Sequence, residues 1–266
     1  MNRALELARF VPTHLPRGHV NWVVRPHHHF TPQQRYEAAV KAGWNVFQFP
    51  SEMTRGGDLL SDSGTTVPTL EQFLAKLSGD SAYGTNWGYG QLMEAFESTF
   101  GTFEKDWKIF LFHQCRTAEH ALYSHIHKYG LVVPSNGFFD TTRANAEANG
   151  VMALDLPDSR QTRFGGNIDL TALDRELDMN DVPFVLMTVT NNTGGGQPVS
   201  LTNLRDAAKL AEKHDTSLFI DACRFAENAW FIKKREYGCD RKSIKNIVHE
   251  MFSLCEGFTI SLKKDG

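Results

Sequence analysis

Two adjacent lysines, Lys263 and Lys264, follow the apolar run Gly257-Phe258-Thr259-Ile260, with the hydroxyl of Ser261 just upstream. One lysine after such a run is an ordinary solvated end. A pair behind a small hydroxyl residue can also anchor a covalently held cofactor, because an amine condenses with a carbonyl. Three further apolar runs lead into residues that could share that work. SLFI leads into Asp221, Cys223 and Arg224. A carboxylate there is costly without a partner, so Asp221 either meets Arg224 or a cationic ligand atom, or caps the helical stretch RFAENAW. KIFLF leads into His113-Gln114-Cys115-Arg116 and the helical TAEHALYSHI, where unpaired N–H groups, the helix dipole and a bidentate arginine make an anion cup, unless Arg116 is simply a surface residue. The run before SNGFFDTTR leads to Phe138, which reads as core, and to Phe139, which could also cover a flat heteroaromatic ring.

An anion cup, an aromatic face, an acid for a ring nitrogen and an amine for an aldehyde are the four needs of pyridoxal phosphate. The loop NNTGGGQPVS after FVLMTVT adds backbone freedom through Gly194, Gly195 and Gly196, although a plain flexible loop has the same composition. Neither a G-x-G-x-x-G nor a G-x-x-x-x-G-K-[ST] fingerprint is present.

The elements that must position these residues alternate. Short apolar runs (NVFQF, KIFLF, LVVPS, VMALDL, FVLMTVT, SLFIDA and GFTISL) have the length and Val, Ile, Phe and Leu content of strands buried on both faces. Amphipathic stretches lie between them: GQLMEAFESTFG, TAEHALYSHIHKYG, LTNLRDAAKLAEKHD, RFAENAWFIKKREYG and SIKNIVHEMFSLC. Ahead of them, Thr31 and Pro32 start a helix that Gly43 stops. The pattern predicts an α/β fold, a mainly parallel sheet wrapped by helices with right-handed crossovers and ligands at the carboxyl ends of the strands.

At 266 residues the chain can bury a substantial core, and a net charge of −3 gives no electrostatic reason to expect nucleic acid or an anionic membrane as partner. Cys115, Cys223, Cys239 and Cys255 are too dispersed for a zinc ribbon or a disulfide framework, which suits a reducing cytoplasm. No leader-like or membrane-length apolar run is visible, so a soluble cytoplasmic protein is expected. His27-His28-His29 has no companion ligands and reads as a solvated loop.

The stretches SDSGTT, GDSAYG, HQCRTAEH, FFDTTR, NNTGGGQPVS, DACRFAENAWFIKKRE and SLKKD resemble, in order, successive motifs of the aromatic amino-acid β-eliminating lyases, the tryptophanase and tyrosine phenol-lyase family, from about Ala38 to the last residue. The resemblance implies a pyridoxal-phosphate enzyme of fold type I that cleaves the Cβ–Cγ bond of an aromatic amino acid, releasing indole or phenol with pyruvate and ammonia. It implies that Lys264 forms the Schiff base, that Gln114, Cys115, Arg116, Ser261 and Lys263 hold the phosphate, and that Phe139 stacks on the ring. Asp221 would pair with the ring nitrogen, and Asn192 and Arg224 with the ring hydroxyl. Tyr83 would protonate the leaving ring across a dimer interface, and Ser61 and Ser63 would lie near the substrate. Asp140 is similar to tryptophanases, where tyrosine phenol-lyases have threonine, and an acceptor for the indole N–H points to L-tryptophan.

The sequence departs from that pattern at Cys115, where glycine is usual, and at Ser81, where a glutamate usually helps bind a monovalent cation, leaving the Gly64 carbonyl for K+. Family members continue well beyond the Schiff-base lysine. The expected organisation is therefore an irregular arm and helix over 1–45, an incomplete cofactor-binding large domain over 46–266 and no C-terminal small domain. A homodimer or homotetramer with shared active sites is expected. The other readings are a tyrosine phenol-lyase or a broader cysteine or serine β-eliminating lyase, and a catalytically silent scaffold or dimerisation remnant.

Overall fold

A computed structural model describes residues 29–53, 70–101, 107–126, 130–160 and 163–264. The chain divides into two compact units, Met1–Ser78 and Gly79–Gly266. In the first, helix α1 (Pro32–Lys41) begins as expected: Thr31 Oγ1 accepts the Gln34 N–H at 3.2 Å, the Gln34 side chain accepts the Thr31 N–H at 2.9 Å, and Pro32 takes the first helical position. Gly43 ends it at a φ of +59°. Helix α2 (Leu70–Ser78), which the sequence pattern did not single out, carries Leu70, Phe73, Leu74 and Leu77 at helical spacing, all exposed.

The second unit is built around a five-stranded sheet, all parallel, in the spatial order β2-β1-β3-β4-β5. Its elements follow one another along the chain as α3 (Trp87–Phe100), α4 (Cys115–Ile126), β1 (Val132–Ser135), α5 (Asp140–Ala148), β2 (Met152–Asp155) and α6 (Leu170–Met179), then β3 (Phe184–Thr188), α7 (Leu201–Lys213), β4 (Ser217–Asp221), α8 (Phe225–Arg235), α9 (Ile244–Phe252) and β5 (Gly257–Thr259). This is the expected α/β alternation. Side-chain oxygens of Asp169, Ser200 and Ser243 cap α6, α7 and α9 by accepting N–H groups two or three residues on.

Strand β3 shows why its run is apolar throughout. Val185 and Met187 join one core cluster with Leu173, Leu204, Ile220 and Ile247, whereas Phe184 and Leu186 join a second with Tyr123, Val133 and Phe138. A period of two sends alternate residues to opposite faces, so a strand covered on both faces needs apolar residues at every position. In register, Thr188 pairs with Asp221 and Asp221 with Thr259, so the carboxyl ends of three neighbouring strands meet along one edge.

Two expected strands are absent. NVFQF forms a 3-10 turn over Val46–Gln48, because Asn45 Oδ1 accepts the Phe47 N–H at 3.0 Å and curls the backbone, leaving Phe47 exposed. KIFLF lies in irregular chain with Phe110, Leu111 and Phe112 exposed. Apolar content alone does not make a strand: its N–H and C=O groups need a neighbouring strand, and none among the described residues pairs with this run. No described helix is long and apolar enough to cross a membrane.

The ring of Phe252 contacts those of Phe100, Phe225 and Phe258, at centroid distances of 4.6, 5.9 and 4.8 Å, and is fully buried. Phe252→Ala is expected to destabilise the chain by about 3–5 kcal/mol through the cavity it leaves, measured as a lowered urea midpoint with unchanged slope.

Candidate functional site

The site grows from the carboxyl edge of the sheet. Asp221 ends β4 with its side chain buried; its Oδ1 receives a long 3.4 Å hydrogen bond from the Cys223 N–H, and the Cys223 thiol also bonds the carboxylate. The residue at the N-cap of α8 is Arg224, so Asp221 is not the cap of RFAENAW. Burial pushes the Asp221 carboxyl up, while hydrogen bonds from Cys223 and the charges of Lys264 and Arg224 pull it down. Arg224 is tied in turn to the β3–α7 loop, its Nη1 donating to Asn192 Oδ1 at 2.8 Å.

Phe139 stands at the N-cap of α5, with Phe138 buried just before it, as the sequence suggested for Phe138. The Phe138 N–H donates to Asp155 Oδ1 at 2.9 Å, and the Phe138 carbonyl accepts the Thr193 hydroxyl at 2.5 Å. Strand β5 delivers Lys264 through a turn in which the Ser261 carbonyl accepts the Lys264 N–H at 3.3 Å. The lysine Nζ lies 5.8 Å from the centroid of the Phe139 ring. The structure thus brings together Lys264, Phe139, Asp221, Arg224 and Asn192, residues spread over 125 positions of sequence as 264 − 139.

Beneath this cluster is a polar clasp that the sequence did not reveal. Asn136, fully buried after β1, donates from Nδ2 to the carbonyls of Gly166 at 2.7 Å and Thr188 at 3.0 Å, and its Oδ1 accepts the Thr188 N–H at 2.8 Å. Asn191 donates to the Asn136 carbonyl at 2.9 Å and accepts the Gly194 N–H at 2.8 Å, so the glycine-rich loop is held rather than loose. A Cβ at Gly137 would fall 2.6 Å from Asn191 Nδ2, which explains the glycine.

Cys115 begins α4, and its thiol hydrogen-bonds that of Cys223; this contact, burial and the Asp221 charge push the Cys223 thiol well up. Gln114 and Arg116 flank Cys115 and are exposed, while on the turn before Lys264 Ser261 is half-buried and Lys263 exposed. Asp140 is exposed in the first turn of α5, its Oδ1 accepting the Thr141 N–H at 2.7 Å. Tyr83 is fully exposed at 107% and is not among the assembled residues. Ser61, Ser63 and Gly64 lie outside the described residues.

Sequence reasoning also passed over Glu119 and Tyr123. Both are buried on α4, four residues apart, and Glu119 Oε2, Tyr123 Oη and Thr188 Oγ1 have no hydrogen-bond partner among the described residues. Burial, then the nearby Asp221, raises Glu119 to about 7, against lowering by Thr142, Asn145 and Arg116. The signal was available: Cys115, Glu119 and Tyr123 recur at i, i+4 and i+8, on the face that also turns Leu122 and Ile126 towards the second core cluster. Chemically, the edge offers a cation over an aromatic ring beside a buried carboxylate that lacks a strong donor. That donor set fits a flat, protonated heteroaromatic ring bearing a carbonyl.

The profile of the beta-eliminating lyases matches residues 58–266. Tryptophanase of Hyphomonas neptunium is 46% identical over 250 residues, 91% of this chain and 54% of that protein. A probable beta-eliminating lyase of Trichomonas vaginalis is 40% identical over 252 residues, 92% and 54% of the two chains. Tyrosine phenol-lyase of Lacrimispora saccharolytica is 40% identical over 252 residues, 91% and 53%. The chain spans about half the length of these relatives. It belongs to the beta-eliminating lyase family.

The raised Glu119 carboxyl carries a sign for stability. The folded chain holds that proton more tightly than the unfolded one, with values of about 7 against 4.5, so the contribution is complete below 4.5 and is lost as pH rises through about 7. Glu119→Gln is expected to flatten that decline, gaining about 3 kcal/mol on the wild type between about pH 5 and pH 8, as read from urea midpoints at the two values.

Proposed function

We propose that this chain forms the cofactor-holding part of a pyridoxal-phosphate-dependent β-eliminating lyase that splits L-tryptophan into indole, pyruvate and ammonia. The observation that carries the reading is the convergence of Lys264, 5.8 Å from the Phe139 ring, with the buried Asp221. Family membership and the relatives named tryptophanase support it.

Bound pyridoxal phosphate supplies an electron sink for the pair left when the α-proton departs. The N–H groups that open α4 and the guanidinium of Arg116 would bind its phosphate, with Gln114, Cys115, Ser261 and Lys263 around it. Phe139 would cover one face of the ring. Asp221, ionised, would hold the proton on the ring nitrogen, and a buried carboxylate without a strong donor of its own is suited to that cation. Asn192 and Arg224, already fixed to each other at 2.8 Å, would face the ring hydroxyl. Lys264 would be the amine that joins the aldehyde and, once displaced by substrate, the base that takes the α-proton.

Departure of an aromatic leaving group also requires a proton at its ring carbon. Tyr83, exposed on its own chain, would give that proton to a neighbouring protomer's substrate in a homodimer or homotetramer with shared sites. Asp140, beside Phe139, would accept the indole N–H, which favours tryptophan over tyrosine. By the family resemblance, the Gly64 carbonyl would hold K+ and Ser63 would lie near the substrate, both residues being outside those described.

Mixing the chain with pyridoxal phosphate is expected to give a visible absorption band that Lys264→Ala lacks. Indole should then form from tryptophan with no phenol from tyrosine. The reverse product pattern rejects the tryptophan assignment, and a folded chain with no band is the silent scaffold. Asp140→Thr is expected to lower kcat/KM for tryptophan roughly tenfold, the worth of one hydrogen bond to the leaving group.

A further inference from the structure

Glu119 does no work in the reaction just described, yet it is a carboxyl group buried on the helix that carries Cys115 and Arg116. It is 4% exposed, on the first turns of α4. The Thr142 hydroxyl of α5 donates to its Oε1 at 2.8 Å, while Oε2 has no partner among the described residues. Asp221, equally buried at the end of β4, is near enough for its negative charge to push the Glu119 carboxyl up. The remaining groups facing Glu119 are Arg116 and Tyr123 from its own helix and the uncharged Thr142 and Asn145 from α5; Lys264, Arg224 and the Cys223 thiol face Asp221, with Cys115 behind that thiol.

Two carboxylates in one desolvated wall cannot both carry charge cheaply. A proton shared between them settles on the one with fewer cations. Asp221 has Lys264 and Arg224, whereas Glu119 has only Arg116, and that weakly. With Thr142 occupying Oε1, the proton belongs on Oε2, the oxygen that accepts no hydrogen bond.

We propose that Glu119 is a positioning residue for the cofactor, acting as the neutral acid that leaves the single negative charge of this wall on Asp221. The inference rests on the reading of Asp221 as partner of a ring nitrogen. Burial and Asp221 place the Glu119 carboxyl at about 7, so it stays neutral in mildly acidic solution and ionises in mildly alkaline solution. Once ionised, it raises the hold of Asp221 on a proton and competes for Arg116, the arginine of the phosphate cup. Both effects weaken cofactor binding.

The test is the affinity of the chain for pyridoxal phosphate, read from the visible band between about pH 6 and 8.5, for the wild type, Glu119→Gln and Glu119→Ala. The wild type is expected to lose roughly tenfold in affinity relative to Glu119→Gln across that range, the equivalent of one pKa unit of interaction between the two carboxyls. Glu119→Ala, also neutral, should share the flat profile. A purely structural role through Thr142 predicts otherwise: Glu119→Ala would weaken binding equally at every pH, while Glu119→Gln kept the wild-type profile. That pattern overturns the proposal.

A wild-type chain with no band at any pH sinks the cofactor reading instead. In that case infrared spectra of the cofactor-free chain still decide the state of Glu119. A protonated-carboxyl C=O band that disappears near pH 7 and is missing in Glu119→Gln upholds the neutral acid, and a carboxylate signal from Glu119 already present at pH 6 overturns it.

Discussion

A buried carboxylate that lacks a strong hydrogen-bond donor is the constraint around which this chain is organised. Asp221 lies on an interior strand of the sheet, flanked in register by Thr188 and Thr259 and buried from solvent. Leaving such a group ionised requires cations, and the fold supplies them from two directions. Arg224 comes from the start of the next helix, braced against Asn192, and Lys264 comes from the turn after β5. The parallel arrangement makes this possible, since only same-sense neighbouring strands deliver their following loops to one edge.

The clasp beneath that edge is what makes the loops usable. Asn136 links the end of β1 to the backbone of β3 and to the 165–166 turn, and Asn191 fastens the glycine-rich loop to Asn136. These are backbone groups that strands ending at different heights would otherwise leave unpaired in the interior. Supporting polar groups of this kind carry no reactive chemistry, yet they fix the spacing between the groups that do.

Much of this was legible in the sequence because it depends on local composition. Runs such as Leu131–Ser135 and Phe184–Thr190 declare doubly covered strands, and the residues that follow them fall at the predicted edge. Phe138 was also readable as core: it is buried, whereas Phe139, at the N-cap of α5, is half-buried. The same logic failed for NVFQF and KIFLF, because pairing depends on a neighbour that no stretch of sequence contains in itself. It failed again for Glu119, Asn136 and Asn191, whose roles arise from contacts with residues 23, 30 to 52 and 55 positions away. Polar residues look alike in a sequence whether they face water or an interior carbonyl.

Lys264 belongs to no helix or strand and borrows its address from the last strand before it. That strand is short, and besides its ladder with β4 it is held by one benzyl group: Phe258 packs against Phe96, Phe100, Trp107 and Phe252 at centroid distances of 6.4, 4.9, 5.2 and 4.8 Å. A reactive amine is thereby moored to hydrocarbon on its far side, six residues upstream. Sequence drift among those rings would be felt as a change in where the nitrogen points, so the tolerance of the site to variation is set by close ring packing on the far side of the strand.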